Sequence, residues 1–366
     1  MNQDIAGPSY LSSYLLDTTL ANTNIQSAQI VAAGAFAPPQ AELPRAAPVN
    51  YKGLPAFCRV QGVLQPSNDS HIEFEVWLPA SGWNGRYEGL GNGGFAGAID
   101  YAGLADAVAH GYAASDSDTG HKASAIDARW ALGHPEKVVD FGYRAVHETA
   151  EKAKTLIAAF YGNQARRSYF NSCSDGGREA LMEAQRFPAD YDGILAGAPA
   201  NDWTRLLANA AEETQMLGDP AKYIPPAKLP AIQAATLAAC DAQDGVKDGI
   251  INDPSRCKFD ASVLLCKGAE SDSCLTAPQV ASLQRLYVGA RDSAGKTIFP
   301  GRLPGAEAGA GTWNLWITGQ KPGTSLMYGF ATQYFANMVY EDAAWDYHTF
   351  QMEGALKVGM TKRRAF

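Results

Sequence analysis

Along residues 72–78, Ile72, Phe74, Val76 and Leu78 alternate with Glu73, Glu75 and Trp77, the period-two pattern of a half-buried strand. Cys58-Arg59-Val60 begins a second such run, so the two together predict a hairpin. Upstream, residues 1 to 57 hold short pieces rich in Thr, Val and Ile (Thr18-Thr19-Leu20, Ile30-Val31), broken by a proline-rich stretch from Pro38 to Pro55, which reads as peripheral strand and loop. Downstream, residues 101–110 predict a short helix and Tyr112 to Ser115 a buried strand. Pro135 then opens a long amphipathic helix to about Tyr161, with Val138, Phe141, Val146, Ala150, Ala153, Leu156 and Ile157 on its apolar face and proline suited to the first turn. An aromatic, β-prone run at Ser168-Tyr169-Phe170 stops at a cluster of small residues, and a helical pattern (Ala180, Leu181, Ala184, Phe187) follows directly. Tyr191 to Pro199 reads as a further core strand. Strands alternating with helices indicate a mainly parallel, doubly wound sheet of the α/β class.

From Asn201 to about Trp345 this rhythm is lost in an Ala/Pro-rich region, read as an inserted lid domain. The expected plan is therefore a core over residues 1–200, a lid over 201–345 and a remnant of the core over 346–366. Composition fits a folded chain with a sizeable core: 366 residues, 46% hydrophobic and 19% charged. The net charge of -8 argues against a nucleic-acid surface, and the first Lys/Arg block is the short Lys362-Arg363-Arg364. No apolar run approaches a membrane span. Met1-Asn2-Gln3-Asp4 opens no secretory leader, yet six cysteines are present, a usage typical of oxidising compartments.

The strand, tight turn and helix at Ser168 to Ala180 make Ser174 the candidate nucleophile. On a turn this sharp the positions two before and two after the serine must be small, and Ser172 and Gly176 meet that need. The alternative is a strand-to-helix turn in which Ser174 is an ordinary helix N-cap. The glycine-dense run Gly89-Leu90-Gly91-Asn92-Gly93-Gly94-Phe95-Ala96-Gly97 lets backbone N–H groups face a cavity without obstruction. In a hydrolase this loop would supply one oxyanion donor and the amide of Asp175 the other. A plain glycine-rich turn is the alternative; the run does not fit a dinucleotide or P-loop motif. Asp116, Asp118 and His121 form a polar loop of the kind that usually reflects turn chemistry. His147 reads as a surface or packed histidine.

Four cysteines, Cys240, Cys257, Cys266 and Cys274, bunch among Gly, Asp and Ser residues, which reads as local disulfide loops; a zinc site lacks a C-x-x-C pair and a nearby histidine. Between Cys240 and Ile250, Asp241, Asp244 and Asp248 alternate with glycines and free carbonyls, a donor set for a hard cation such as a structural Ca2+. A Cys240 to Cys257 bond would close that loop and lower the entropy of organising it. The alternative is a series of Asp-Gly turns without metal.

Taken together, Gly82-Trp83-Asn84-Gly85, the 91–97 glycine loop, Asp118-Thr119-Gly120-His121, Gly133-His134-Pro135-Glu136-Lys137-Val138, Cys173-Ser174-Asp175-Gly176-Gly177-Arg178 and Phe187-Pro188-Ala189-Asp190-Tyr191-Asp192-Gly193 resemble the tannase and feruloyl esterase family from about Thr18 to about Phe350. The resemblance implies an α/β-hydrolase with an inserted, calcium-carrying lid: a secreted or periplasmic serine esterase that cleaves small aryl carboxylic esters through an acyl-enzyme. Matched residue by residue, it makes Ser174 the nucleophile and Asp175 and the Gly93/Gly94 region the oxyanion hole. Asp241, Asp244, Val246, Asp248 and Ile250 match calcium ligands, the two apolar residues through their carbonyls, and Cys240–Cys257 and Cys266–Cys274 match lid disulfides. It also pairs the cysteine before the serine, here Cys173, with a cysteine beside the catalytic histidine.

The chain departs from that pattern. In α/β-hydrolases the acid and histidine follow the serine, and the one histidine after Ser174 is His348, in Ala344-Trp345-Asp346-Tyr347-His348. The family's last core strands find no match between Phe350 and Phe366, so the expectation is a chain shortened at its C-terminus, with the triad Asp and His absent and activity impaired. Cys58, which lacks an upstream partner, extends that expectation to the start. The leading reading is an esterase acting on hydroxycinnamate or gallate esters. The alternatives are a non-catalytic phenolic-ester binding protein, or His348 with Asp342 or Asp346 acting as a replacement base.

Overall fold

The computed structural model describes residues 14–39, 49–95 and 97–361. The expectations for Met1 to Asp4, for part of the proline-rich stretch, for Ala96 and for the Lys362-Arg363-Arg364 run lie outside them. The chain divides into two compact units, with the boundary between Asn201 and Asp202.

In the first unit, seven strands form one sheet: β1 (Thr23–Val31), β2 (Phe57–Leu64), β3 (Ile72–Pro79), β4 (Arg86–Gly89), β5 (Ala113–Ser117), β6 (Arg167–Cys173) and β7 (Gly193–Gly197). Their order is β1-β2-β3-β5-β4-β6-β7. The β5-β4-β6-β7 half is parallel, whereas β1, β2, β3 and β5 pair antiparallel. The sheet is therefore mixed, and the expectation of a mainly parallel one holds for half of it. Connection length decides the difference: β2 and β3 are joined directly as a hairpin, while the parallel strands are reached through helical crossovers. These helices are α1 (Tyr101–Ala109), α2 (Pro135–Val139), α3 (Ala145–Tyr161) and α4 (Asp175–Arg186). A π-helical turn, Asp140–Arg144, joins α2 to α3, so the predicted helix from Pro135 to Tyr161 is continuous but locally widened.

The core lies on both faces of the sheet. On one, Val146, Ala150, Ala153, Leu156 and Ile157 of α3 pack with Val60, Leu64, Ile72, Phe74 and Val76. On the other, Phe57, Trp77, Leu104 and Val108 form a second cluster. The hairpin pairs Cys58 with Leu78 and Val60 with Val76. Beyond Glu73 its polar-looking face is not solvated, which corrects the half-buried reading: Trp77 is 0% and Glu75 1% exposed. Trp77 stacks on Phe57 at 4.2 Å. Glu75 accepts hydrogen bonds from Arg59 Nε (2.8 Å), Gln61 Nε2 (3.1 Å), Trp77 Nε1 (2.7 Å) and Tyr101 OH (3.1 Å). A buried carboxylate is tolerated when paired and bonded in this way.

The second unit carries α5 (Trp203–Gly218), α6 (Leu229–Cys240), α7 (Ala277–Val288), α8 (Trp313–Trp316), α9 (Leu326–Tyr334), α10 (Met352–Thr361) and a small hairpin, β8 (Gly289–Arg291) with β9 (Thr297–Pro300). It has its own core, built on Ile224, Leu229, Ile232, Leu283, Leu286 and Trp313. Residues 346–361, assigned from sequence to a core remnant, divide with this unit. There Phe350 packs on Phe335 at 5.2 Å. Among the described residues no strand pairs with the outer edge of β7, and no helix is long and apolar enough to cross a membrane.

Removing the Glu75 carboxylate leaves Arg59 a half-buried charge without its partner and deprives Trp77 and Tyr101 of an acceptor. Glu75→Ala is expected to lower the unfolding free energy by about 3–5 kcal/mol, measured by urea denaturation; a loss below about 1 kcal/mol would show that the network carries little.

Candidate active site

β6 ends at Cys173 and α4 begins at Asp175, leaving Ser174 alone to reverse the chain, at φ 64° and ψ -117°. A serine held at positive φ costs on the order of 1–3 kcal/mol and persists only where its surroundings enforce it. The main chain does so here. Ser174 N–H donates to the Gly197 carbonyl at 2.9 Å, and the Ser174 carbonyl accepts from Ala200 N–H at 2.9 Å and Arg178 N–H at 3.2 Å. The side chain takes no part: Ser174 occupies the N-cap position and makes no capping bond, against the ordinary N-cap reading. The requirement for small neighbours is steric. A Cβ on Gly176 would stand 1.9 Å from Ser172 Oγ, and one on Gly177 2.5 Å from the Gly197 carbonyl.

The glycine loop is fastened to this turn through Asn92. Gly176 N–H donates to the Asn92 carbonyl at 2.7 Å, and Asn92 N–H donates to Glu179 Oε2 at 3.0 Å. The Asn92 amide in turn donates to the carbonyls of Ala98 (2.7 Å) and Ser117 (3.1 Å). Gly91 must be glycine for this docking, because its Cβ would meet Glu179 Oε2 at 2.3 Å. Gly94, at φ 63°, turns the loop, and a Cβ on Gly93 would meet open space. Asp175, the first residue of α4, has an N–H that the helix cannot satisfy. The backbone donors read from sequence, Gly94 and Asp175, thus belong to two segments joined by the Asn92 to Gly176 bond.

Beneath the turn lies a buried charge cluster that sequence reasoning did not single out. The Asp175 carboxylate accepts from Arg178 Nε (2.6 Å) and Nη2 (3.0 Å), while Arg178 also donates to the carbonyls of Gly142 (2.7 Å) and Phe141 (3.0 Å). The widened turn at 140–144 presents those two carbonyls. Burial, reinforced by the Asp175 charge, pushes Glu179 well above the usual carboxylate range, and its Oε2 accepts the Asn92 N–H. The available signal was three ionisable residues, Asp175, Arg178 and Glu179, within one turn and a half of an otherwise small-residue helix start.

The six histidines are engaged elsewhere, and among the described residues none hydrogen-bonds Ser174. His121 is buried against Trp130 (3.7 Å) with Nε2 on the Phe95 carbonyl at 2.9 Å, and burial pulls it down to about 4. Asp118 accepts from the N–H groups of Glu73 and Gly120, both at 2.9 Å, with burial raising it to about 7; Asp116 accepts from Ser117 N–H at 2.8 Å. That is turn chemistry. His134 faces Asp69 (3.0 Å), His110 the Asp106 carbonyl (2.8 Å) and His71 Glu73 (3.8 Å). His147 pairs with Asp190 at 2.6 Å. His348 is exposed and bonded to Asp346 Oδ1 at 2.7 Å, and Asp342 caps the Ala344 N–H.

In the second unit the disulfides are Cys240–Cys257 and Cys266–Cys274, which excludes the zinc alternative; Cys58 is a buried and Cys173 an exposed free thiol. Asp241 accepts from Gly249 N–H at 3.1 Å, Asp244 from Val246 N–H at 2.9 Å and Asp248 from Ile250 N–H at 3.0 Å. Gly245 and Gly249 turn the chain at positive φ. The three carboxylates hold the loop's own backbone and are not gathered within 4.8 Å of one another.

Gly176→Ala is expected to destabilise by about 3 kcal/mol or more, since overpacking alone costs about 1–3 kcal/mol and here two backbone segments must part. Adding Ser172→Gly should recover at least about 1 kcal/mol in a double-mutant cycle. Strict additivity in denaturant titrations would contradict the contact.

Comparison with known proteins bears on this geometry. A family model described as tannase and feruloyl esterase matches residues 58–362. An uncharacterized esterase of Xanthomonas campestris pv. campestris is 45% identical over 354 residues, covering 96% of this chain and 60% of the relative. A probable feruloyl esterase B-2 of Aspergillus terreus is 33% identical over 301 residues, covering 81% and 55%. The chain thus spans less than two thirds of the length of these relatives. Among solved structures, feruloyl esterase B from Aspergillus oryzae superposes with a TM-score of 0.84 at 28% identity, over 97% of this chain and 69% of that one. The chain, with its strained serine between β6 and α4, belongs to the tannase and feruloyl esterase family.

Proposed function

We propose that this chain carries the nucleophile and oxyanion hole of a serine carboxylic ester hydrolase acting on aryl esters through an acyl-enzyme. The observation that carries the reading is Ser174 at positive φ between β6 and α4 with its hydroxyl uncommitted to capping. Ser174 Oγ attacks the ester carbon and forms a tetrahedral oxyanion. The amides of Asp175 and Gly94 stabilise that charge, the alcohol leaves, and water releases the acid. Preorganisation comes from the Asn92 clasp and the Asp175–Arg178 pair, which fix both segments before substrate arrives. The names of the Aspergillus relatives, probable feruloyl esterase B-2 and feruloyl esterase B, support hydroxycinnamate esters as the proposed substrates of this chain, and gallate esters are the second candidate.

Ser174 needs a base, and no histidine among the described residues bonds it. The 366-residue chain assayed alone is therefore expected to turn over methyl ferulate weakly, by no more than about 10⁴-fold above the uncatalysed rate. Fusing on the portion of the Xanthomonas relative that the chain does not span should raise turnover by about 10² or more. Ser174→Ala should abolish both activities. Turnover unchanged in Ser174→Ala, or confined to simple alkyl esters, would overturn the reading; tight binding of methyl ferulate without turnover in either form would favour the non-catalytic alternative.

We further propose that the 241–250 loop binds one structural Ca2+ through Asp241, Asp244 and Asp248 and the carbonyls of Val246 and Ile250. All five donors are hard oxygen atoms, as that ion requires, and the Cys240–Cys257 bond closes the segment. Binding draws in carboxylates that otherwise hold the loop's N–H groups. Excess calcium should raise Tm relative to chelator by mass action, and Asp244→Asn should remove the increment; equal melting curves would contradict it.

A further inference from the structure

α3 and α4 bring together a cluster unconnected with Ser174. His147 lies in the first turn of α3, Glu183 in the last turns of α4, and Asp190 in the turn that follows α4. One ligand atom from each lies within 4.8 Å of the other two. Ligands of a single tetrahedral ion, at about 2.0–2.2 Å from it, stand roughly 3.3–3.6 Å apart. To reach that spacing from within 4.8 Å, the cluster closes on the Glu183 side and opens the His147 Nδ1 to Asp190 Oδ2 contact from 2.6 Å.

Glu183 is the independent observation. It is fully buried, and neither of its carboxyl oxygens receives a hydrogen bond. A buried carboxyl of that kind requires a proton or a cation, because an uncompensated charge is too costly to bury. Burial, together with the charge of the neighbouring Asp190 carboxylate and a hydrogen bond toward it, raises it to about 8.

The surroundings orient each prospective ligand. The His147 ring lies flat on Phe187, at 3.7 Å and 7°. Its Nδ1 is turned toward Asp190 at 2.6 Å, while its Nε2 faces Glu151 Oε2 at 3.9 Å. Lys154 Nζ holds the outer oxygen of Asp190 at 3.4 Å and leaves Oδ2 for the site. His147 and Asp190 are partly exposed, so an ion has a route in.

We propose that His147, Glu183 and Asp190 form a binding site for one divalent transition-metal ion, with Zn2+ as the representative. One imidazole nitrogen and two carboxylates suit Zn2+ and not calcium, which takes oxygen ligands. Binding displaces the proton of Glu183 and the Nδ1 proton of His147, so the ion exchanges for one to two protons. The site stabilises the packing of α3 on α4 and takes no part in ester cleavage.

The test is calorimetric titration of the chelator-stripped full chain with ZnCl₂, in two buffers of different ionisation enthalpy, with melting curves alongside. The wild type is expected to bind one equivalent with release of one to two protons and a rise in Tm. Glu183→Gln, which has the shape of the neutral acid and so keeps the fold, should weaken binding at least about tenfold, as should His147→Gln; losses of 10- to 100-fold are usual even for partners behind the ligands. Cys173→Ser and Asp244→Asn should leave stoichiometry and affinity unchanged. Absence of saturable binding, binding that survives Glu183→Gln, or binding lost in Cys173→Ser would overturn the proposal.

Discussion

The first unit depends on one backbone constraint: Ser174 must hold a positive φ at the point where β6 becomes α4. Strain of about 1–3 kcal/mol at such a residue relaxes unless the neighbouring chain forbids it, and here three segments do. The 197–200 segment takes the Ser174 N–H and donates to its carbonyl, the glycine loop takes the Gly176 N–H, and the start of α4 supplies the Arg178 N–H. Each of these contacts requires close backbone approach, which is why Gly91, Gly176 and Gly177 have no room for a side chain. The glycines are a consequence of the serine's conformation.

Buried charge extends the constraint outward. Arg178 joins Asp175, directly after the serine, to carbonyls of Phe141 and Gly142, and Glu179 joins α4 to Asn92 in the loop after β4. Removing a partner from such a cluster costs several kcal/mol because it strands what remains. The cluster therefore confers rigidity on the two segments that carry Gly94 and Asp175, the proposed oxyanion donors, and the π-helical turn at 140–144 is the local distortion that makes its carbonyls available. Glu75 plays a similar part at the antiparallel end of the sheet, where four donors converge on it.

Much of this was legible in the residues, and what was not has physical reasons. The hairpin, the long helix, the elbow and the small residues around it follow from periodicity and steric need, which are local properties. The cysteine pairs of the second unit followed from resemblance. Burial of Trp77 and Glu75 could not be read from β3, because it depends on Phe57, Arg59 and Tyr101 arriving from other elements. The antiparallel pairings of β1 with β2 and of β3 with β5 were hidden for the same reason: strand direction depends on the connections. The roles of Arg178 and Glu179 could not be read locally, since partners of theirs lie 36 and 87 residues away in the chain. Residues 346–361 read as part of the core by position alone, whereas their side chains pack within the second unit.

The claim that a buried clasp holds the serine turn is tested most directly by native-state hydrogen exchange in Arg178→Gln. If the clasp carries the strain, the amides of Asn92, Ser174, Gly176 and Ala200 lose protection together, while those of β2 and β3 keep theirs. Wild-type protection at Ser174 and Gly176 in that variant would show that the turn stands without the clasp and would contradict the account.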